Sequence, residues 1–583
     1  MGIQLLIFLP LLFAITLPFN SIRVRNVVTY IYVFFLMFIT LNIFLNSSAI
    51  TLNFPHIYHQ IFIFIDSAVL LYFLHQALKY KNKLVLLFAL VQIILFGIVL
   101  LMEPSANSYD ILIDSVSLVM LLVVNIIGGI IIIYALKYIA SEDFKECKKN
   151  LFIAILFFFL GVMNLLVSTN NLEIFFLAFE LTTLCSYILI RYRLDDLAVQ
   201  NALRALWMNQ IGGVAILLAL IASIMYYETI YLDVLLKVVD DMFLLPISLL
   251  IIAAFVKGAS IPFDRWLLGA MIAPTPVSAI LHSATMVKIA PYLILKIAPA
   301  FSPMLAMLVL YFGSFVFMSA SILALSKDFF KEILGYSTIA LLGFMMAIAA
   351  LGTEEAIQIV LILIVFHAIS KALLFFQAGI LEKVYHLKYL HDIDYLASRS
   401  KLVVFFVLVG FASLTLPPFG AFIGKFSSIE LLSSLIEENI FYVFPLAFIL
   451  LGSVFLTLLY FKVVTKLLPK TNEEFEEVEI PFTYKFTSFA LVALLIGGVY
   501  VSYLYSFLGT TEIVISSVLI VVTMLMLFVV NFKNVKIVKE YNCAEKDDKE
   551  LGAFYFEIPA LYKSIITYSV IVLMCMILIV GVL

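Results

Sequence analysis

The chain has 583 residues, of which 64% are apolar, 35 are basic and 38 are acidic. This charged share is about half of that usual for soluble domains, which excludes a soluble enzyme, a nucleic-acid binder and a disordered scaffold. A membrane span needs about 20 apolar residues, so most of the chain is expected to lie in a bilayer, and the net charge of −3 indicates no particular partner.

Apolar runs recur along the whole sequence and predict an all-α polytopic membrane protein with about 18 transmembrane helices. The first run has neither a basic leader region nor a small-residue cleavage site, so it predicts a span rather than a signal peptide. The predicted spans lie near residues 3–18, 27–46, 61–78, 84–102, 110–136, 151–168, 172–190, 203–226, 243–261, 275–297, 304–325, 332–351, 356–380, 401–424, 439–461, 484–507, 513–531 and 562–582.

The loops between these spans differ in charge. Alternate loops hold most of the Lys and Arg residues, whereas the opposite loops carry mainly Asp and Glu. By the positive-inside rule, the basic face is cytoplasmic. We therefore expect a multi-pass protein of the cell membrane with both termini outside.

Cysteine and histidine usage predicts no metal site and no redox centre in this chain. The four cysteines are isolated, with no C-x-x-C pair, whereas iron–sulfur clusters and structural zinc need grouped ligands. Only His282 and His367 lie deep in apolar runs. A haem held by both histidines is the alternative that remains.

Five charged residues stand out within predicted spans or at their edges: Glu180, Lys257, Lys288, Lys371 and Lys425. Each charge at the middle of a bilayer costs roughly 2.5–3.5 kcal/mol on insertion scales. A single intramembrane lysine is often locally paired or reaches the interface with its long stem. Five charges on five helices instead predict an ion path.

Two of these lysines lie beside interruptions in their helices. Lys257 precedes Pro262 in AFVKGASIPFDRW (254–266), and Lys425 follows Pro417 and Pro418 in LPPFGAFIGKF. Proline removes a backbone donor and frees carbonyl groups, and broken helices often form ion sites within membranes. The reversed order of lysine and proline hints at inverted repeats, while a simple loop entrance is the alternative reading of Pro262.

Two further helices carry histidine together with lysine. His367 and Lys371 in FHAISKALLFFQAG are four residues apart and should share a helix face. In APTPVSAILHSATMVKIAPYL, Ser278 and His282 share a face, while Lys288 should point to a different neighbour. These groups could exchange protons through a short water chain. A hydrogen-bonded core histidine is the alternative.

In these motifs the sequence resembles the antiporter-like membrane subunits shared by respiratory complex I, Mrp-type cation/proton antiporters and energy-converting membrane hydrogenases. The resemblance runs in family order from residue 114 to residue 426. Besides the motifs above, it includes DSVSLVMLLV (114–123), FELTTLCSYILI (179–190), TPVSAILHSATMV and KEILGYSTIALLG (331–343).

The resemblance implies two inverted five-helix repeats, each with a broken helix, that form one proton path along the membrane midplane. Glu180 matches the glutamate that pairs with the first broken-helix lysine, here Lys257. Lys425 matches the terminal group on the second broken helix. The central relay residues are matched by His282, His367 and Lys371, with Lys288 as a further titratable group nearby.

The sequence also departs from the family. Four spans, rather than two, precede the DSVSLVMLLV helix, and Gln210 and Gly213 stand where many relatives carry Arg and Asp. The departure argues against a sodium or salt-bridge role at those two positions. The segments ALRALWMNQIGG and YNCAEKDD look closest to the large antiporter-like subunit of Ech-type hydrogenases.

The resemblance divides the chain into a four-span N-terminal segment at 1–109, an ion-translocating core at 110–435, and C-terminal spans at 436–583 with a cytoplasmic loop near 532–561. The favoured function is a proton-translocating subunit of a redox-driven pump, in particular an energy-converting membrane-bound NiFe hydrogenase, with sodium as an alternative ion. The NiFe centre and iron–sulfur clusters would lie in cytoplasmic hydrogenase-like partners, beside other integral membrane subunits. The alternatives are a subunit of an Mrp-type Na+/H+ antiporter or of complex I and, from a different class, a stand-alone solute transporter.

Overall fold

The computed structural model describes residues 2–46, 49–239, 243–393, 396–417, 419–468, 478–504, 518 and 558–582. In these ranges fourteen helices are long and apolar enough to cross a membrane, and three shorter helices are apolar as well. The predicted polytopic helical fold is confirmed. The predicted number of spans is not, because the span at 513–531 lies outside the described residues, while every other predicted span overlaps one of these helices.

The N-terminal segment combines four helices with a small sheet. Strands β1 and β2 pair antiparallel, with Ile50 opposite Ile113. Because α3 and α4 lie between these strands in sequence, they form a helical hairpin inserted into a β-hairpin. The elements are α1 (Gly2–Thr16), α2 (Ile22–Asn46), β1 (Ile50–Leu52), α3 (His56–Tyr80), α4 (Lys83–Val99) and β2 (Ile111–Ile113).

The turn between α3 and α4 is tight for local reasons. Lys81 adopts a left-handed φ of 51°, which ends α3. The Asn82 side chain then caps α4 by accepting hydrogen bonds from the N–H groups of Leu84 and Val85. The two helices therefore run antiparallel and close together.

The core follows in chain order. Its elements are α5 (Ser115–Ala140), α6 (Glu146–Ser168), α7 (Leu172–Arg193), α8 (Asp196–Tyr227), α9 (Leu232–Val238), α10 (Leu245–Lys257), α11 (Asp264–Gly269), α12 (Thr275–Ala300), α13 (Pro303–Leu325), α14 (Phe330–Ala349), α15 (Glu354–Val384), α16 (Lys401–Thr415), α17 (Gly420–Leu435) and α18 (Ile440–Leu467).

Two runs of five spans are visible in this order, α6 to α12 and α13 to α18, when the short α9 is set aside. In both runs the fourth span is interrupted, as α10–α11 in the first and as α16–α17 in the second. Since five is an odd number, the second run starts from the opposite membrane face. This arrangement agrees with the inverted repeats that the family resemblance implies.

Helix α12 is less regular than its sequence suggests. A π-helical segment covers Ile280–Ala284, Thr285 has φ −126° and ψ −111°, and a 3-10 turn covers Met286–Lys288. The expectation that Lys288 points to a different neighbour than His282 is wrong, because both side chains contact α15. The start of α12 does follow the sequence, because Pro274 is its N-cap residue and Pro276 lies in its first turn.

Two helices close the described chain: α19 (Phe482–Leu504) and α20 (Ala560–Val582). Helix α19 packs on α5 and α15, and α20 packs on α10 and α13, so α20 contacts both five-span runs. The predicted loop near 532–561 lies almost wholly outside the described residues. The division into segments 1–109, 110–435 and 436–583, with boundaries after residues 109 and 435, stays a prediction.

Candidate functional site

Glu180 and Lys257 form one end of the candidate site. Both are fully buried. The Gln92 side-chain amide donates to Glu180 Oε1 at 2.9 Å, and Oε2 has no protein hydrogen-bond partner. No ion pair within 4.0 Å joins the carboxylate to Lys257, so the direct pairing implied by the family resemblance is corrected.

Lys257 is instead held by the helix that carries Glu180. Its ammonium donates to the Phe179 carbonyl and to Thr183 Oγ1, both at 3.0 Å, and lies 3.7 Å from the Phe179 ring centroid. The two charges remain close enough to interact electrostatically. Glu180 and Lys257 therefore form no direct ion pair, and each of them hydrogen-bonds to neutral groups.

The first helix break follows directly from local sequence. Helix α10 ends at Lys257, Gly258 caps it, and Ala259 has a left-handed φ of 51°. Pro262 lies in the gap before α11. The Val256 carbonyl accepts from the Trp266 indole at 2.9 Å and from the Ala259 N–H at 3.1 Å. A lysine in the last turn also benefits from the helix dipole, so the break positions a cation in the buried core.

The centre of the site joins α12 to α15. Lys288 Nζ is in direct hydrogen-bond contact with His367 Nδ1. His282 packs its ring 4.8 Å from the Phe375 ring centroid. Both nitrogens of His282 and Nε2 of His367 lack protein partners, and such buried polar atoms normally bind internal water.

Lys371 does not act as a pair with His367, although the two share α15. Its ammonium turns to α14 and donates to the Leu334 carbonyl at 3.0 Å and to Ser337 Oγ at 2.5 Å. The spacing of four residues placed both side chains on α15 correctly, but the neighbouring helices gave them different partners. His282 remains within electrostatic range of Lys371 and Lys288.

Lys425 forms the other end of the site. It is buried in the first turns of α17, and its ammonium donates to the Leu414 carbonyl at 2.8 Å. Leu414 lies in the last turn of α16, so the lysine satisfies a carbonyl group freed by the second break. Pro417 lies in this break, and Pro418 is outside the described residues.

Two residues next to Glu180 were missed in the sequence. Gln92 carries no charge and gave no signal within its apolar run. Asp66 did carry a signal, because it is a carboxylate inside the predicted span 61–78. It is only 4% exposed, its Oδ1 has no protein partner, and it interacts electrostatically with Glu180.

Gly213 explains how the buried carboxylate fits. A Cβ at this position would lie 1.9 Å from Glu180 Oε1 and 2.3 Å from Gln92 Nε2. Gln92 also donates to the Gln210 carbonyl at 3.3 Å. The Gln210 side-chain amide in turn donates to Gln92 Oε1 at 3.3 Å, so Gly213 and Gln210 both take part in the surroundings of the Glu180–Gln92 contact.

Solvent approaches the site from the basic face. A cavity of about 730 Å³ opens there beside the break between α10 and α11, and Ile261 and Pro262 form part of its wall. Its charged lining residues are Arg204, Asp264, Arg265, Glu332 and Lys563. Among the described residues, no group of three or more His, Cys, Asp or Glu could hold a metal ion.

Two family models match the chain. Residues 169–455 match the model described as NADH:quinone oxidoreductase/Mrp antiporter, TM, and residues 103–146 match that described as NADH-Ubiquinone oxidoreductase (complex I), chain 5 N-terminus. The first range contains every candidate residue from Glu180 to Lys425. Helices α3 and α4 lie outside both ranges.

The relatives that are similar in sequence include an antiporter subunit. A Na+/H+ antiporter subunit of Alkalihalophilus pseudofirmus is 31% identical over 359 residues, which are 57% of this chain and 44% of the relative. The chain therefore spans less than half the length of that relative.

Two solved structures share the fold at lower sequence identity. A chain of the membrane-bound sulfane sulfur reductase, an archaeal respiratory membrane complex, has a TM-score of 0.66 at 19% identity, covering 87% of this chain and 96% of that one. A chain of the Mrp complex from a Dietzia species has a TM-score of 0.65 at 22% identity, covering 100% of this chain and 56% of that one.

Proposed function

Since the chain belongs to the family of antiporter-like membrane subunits of Mrp and complex I-like pumps, we propose that it translocates protons within a multi-subunit membrane complex. The observation that carries this proposal is a row of buried titratable groups on five helices, namely Glu180, Lys257, His282, Lys288, His367, Lys371 and Lys425. Each is 5% exposed or less. Such groups are costly in a bilayer and are typical of ion pathways.

The helices that carry the row pack directly on one another beside Lys257 and beside Lys425. A Cβ on Gly258, next to Lys257, would lie 2.6 Å from Cβ of Ala290 on α12, two residues beyond Lys288. A Cβ on Gly424, next to Lys425, would lie 2.6 Å from Leu363 on α15, one turn from His367. The first broken helix, the centre and the second broken helix are thus in direct contact.

The Lys288–His367 contact supports protons as the transported ion. Two nitrogen atoms in one hydrogen bond share a single proton, with one atom donating and the other accepting. His367 has a second ring nitrogen without a protein partner, so a proton received on one nitrogen can be balanced by release from the other. This is the behaviour required of a relay residue.

We further propose that the chain works in a redox-driven respiratory complex. The near-complete mutual coverage with a chain of the sulfane sulfur reductase complex supports this assignment. Because the chain has no redox motif of its own, the NiFe centre and iron–sulfur clusters would belong to hydrogenase-like subunits docked on the basic, cytoplasmic face. The orientation, with both termini outside, is part of the proposal.

An Mrp-type Na+/H+ antiporter is the second candidate. It is supported by the 31% identity to a Na+/H+ antiporter subunit, which exceeds the identity to either solved structure. Such a complex needs no redox partner. Sodium would then be a second transported ion.

One preparation separates these functions. The complex is purified through this chain, its polypeptides are identified, and its nickel and iron are measured, which we expect to reveal a hydrogenase-like subunit with iron–sulfur clusters. An antiporter would contain neither metal and would exchange Na+ for H+ in proteoliposomes without a reductant. Purification of the chain alone, with solute uptake, would contradict both proposals.

The lysines of the row test proton translocation itself. Lys371→Ala and Lys425→Ala should each lower proton translocation at least tenfold, about 1.4 kcal/mol in activation free energy, while the complex still assembles and its redox activity largely persists. Lys83→Ala, an exposed lysine at the start of α4, is the control. Loss of the assembled complex in both buried-lysine variants would indicate a structural role instead.

A further inference from the structure

The α3–α4 hairpin contributes no residue to the row from Glu180 to Lys425. Its Gln92 nevertheless contacts Glu180, the first residue of that row. It is inserted between the paired strands β1 and β2 and lies outside both matched ranges. Helix α3 packs on α7, and α4 packs on α8. The hairpin thereby brings Asp66 and Gln92 next to Glu180.

Helices α3 and α7 run side by side in the same direction. At one end, the His59 ring and the Asn171 amide both contact the carboxylate of Asp110, at 3.2 and 2.9 Å. At the other end, the Tyr187 hydroxyl donates to Gln76 Oε1 at 3.0 Å. These contacts fix the register of the two helices.

This register places Asp66 closer than Glu180 to the end of the helices where His59 lies. Measured from the Gln76–Tyr187 contact at about 1.5 Å per residue, Asp66 lies about 15 Å and Glu180 about 10 Å towards the His59 end. The axial offset between the two carboxylates is therefore about 5 Å. Their electrostatic interaction agrees with this closeness.

The same register places two further titratable residues, Glu173 and His59, between Asp66 and the membrane surface. Glu173 lies about 6 Å beyond Asp66 and His59 about 5 Å beyond Glu173, along the same axis. Glu173 interacts electrostatically with Asp66, His59 and Asp110. The His59 side chain is 29% exposed, so the series ends at solvent on the face opposite Lys79, Lys81 and Lys83.

A structural role does not account for Asp66. Its electrostatic neighbours are two other acids, Glu180 and Glu173, so it gains no ion-pair stabilisation from them. Its Oδ1 has no protein partner, and a buried polar atom in this state costs about 1–3 kcal/mol. A neutral side chain would be the more stable choice at a position that serves only packing.

We propose that the α3–α4 hairpin forms a proton-access route from the face of His59 and Asp110, through Glu173 and Asp66, to Glu180. Each step moves one proton from a protonated carboxyl group to a carboxylate through an intervening water, with no change in oxidation state. Gln92 holds Glu180 Oε1, which leaves Oε2 to exchange the proton with Asp66. The route rests on the proposed function, because it delivers protons to the row that begins at Glu180.

Translocation by the assembled complex in proteoliposomes tests the route. Asp66→Asn keeps the shape of the side chain but cannot carry a proton, so it should lower proton translocation at least tenfold with unchanged assembly. Asp66→Glu should restore the rate to within about threefold of wild type, since about 0.65 kcal/mol corresponds to that factor. The control is Ser67→Ala, next to Asp66. The Ser67 hydroxyl donates to the Ile63 carbonyl, and its removal should leave the rate of proton translocation unchanged.

Glu180→Gln separates failure of the route from failure of the function. If Glu180→Gln loses translocation while Asp66→Asn keeps the wild-type rate, the route is wrong and the proposed function stands. If Glu180→Gln itself keeps the wild-type rate, the row does not carry protons, and both proposals fall.

Water access at position 66 is a readout that does not depend on transport. In a background without the native cysteines, Asp66→Cys should react with a charged, membrane-impermeant thiol reagent added from the His59 face, and not from the basic face. Phe64→Cys should stay unreactive because Phe64 is 73% exposed on the lipid side of α3, where a thiol does not ionise. Failure of Asp66→Cys to react from the His59 face would overturn the route even if Asp66→Asn were inactive. The native cysteines to be replaced are Cys147, Cys185, Cys543 and Cys575.

Discussion

At the scale of single residues, Glu180 has one oxygen held by Gln92 and one oxygen without a protein partner. Lys257 is near but is bonded to neutral groups of α7. We infer that the carboxylate approaches Lys257 in one state of the transport cycle and leaves it in another. We infer that this approach gates proton transfer, which the family resemblance also implies.

Glu180→Gln tests the gate, because glutamine keeps the shape and hydrogen bonding but cannot carry the charge. Proton translocation should fall at least tenfold, about 1.4 kcal/mol, with normal assembly of the complex. The rate is measured with a pH-sensitive dye in sealed vesicles. A vesicle preparation that pumps at the wild-type rate would refute the gate and leave a static role in insertion.

Gly213 provides a second test at residue scale. In Gly213→Ala the new Cβ would overlap Glu180 Oε1 and Gln92 Nε2, so the carboxylate must move. Overpacking of this kind typically costs about 1–3 kcal/mol, and we expect a lower midpoint of thermal unfolding together with slower translocation. Gly497→Ala is the matched control, since a Cβ at that helix position meets nothing within 4 Å. Equal behaviour of the two variants would contradict the packing explanation.

At the scale of elements, the broken helices are stabilised by side chains that satisfy the freed carbonyl groups. Trp266 does this for Val256, and Lys425 does it for Leu414. Without such donors, a broken helix in a membrane interior would carry unsatisfied backbone groups. The breaks are therefore maintained by contacts that lie several residues away along the chain.

Trp266→Phe should destabilise the first break by about 0.5–1.5 kcal/mol, the net contribution of one hydrogen bond, because the Val256 carbonyl keeps only its bond from the Ala259 N–H. The chain contains two tryptophans, and the other, Trp207, stacks on Phe88 near the surface of the bundle. Trp207→Phe is therefore the control and should change stability little. Thermal unfolding of the purified complex measures both variants. An unchanged midpoint for Trp266→Phe would mean that water replaces the indole.

At the scale of the whole molecule, the alternating loop charges predict the orientation. Cys147 is exposed at the start of α6 on the basic face, and Glu354 is exposed at the start of α15 on the opposite face. The positive-inside rule places Cys147 in the cytoplasm and Glu354 outside. Positions 47 and 543 are predicted from the loop charges to lie on opposite faces, and both fall outside the described residues.

Side-specific labelling checks this orientation. In sealed right-side-out vesicles, an impermeant thiol reagent should label Glu354→Cys and spare Cys147, and inverted vesicles should show the reverse. Labelling of both positions from one side would contradict the topology. Cys185 is buried and should stay unlabelled in either preparation, which makes it the internal control.

Whether a residue of the candidate site could be predicted from the sequence depended on its side-chain type. Glu180, Lys257, Lys288, Lys371 and Lys425 were identified because a charge in an apolar run is costly and visible without a structure. Asp66 carried the same signal and was overlooked inside a span. Gln92 could not be recognised, since a neutral amide in a membrane helix has many ordinary roles.

The sequence by itself determined the membrane class, the overlap of the predicted spans with the described helices, and the positions of the buried charges. These follow from local hydrophobicity and charge, which do not depend on what packs where. Only the tertiary structure decided the partners: Lys257 with α7, Lys371 with α14, and Lys288 with His367. The reason is physical, because the register between helices and the π-helical segment in α12 set which side chains meet, and both arise from packing between segments far apart in the chain.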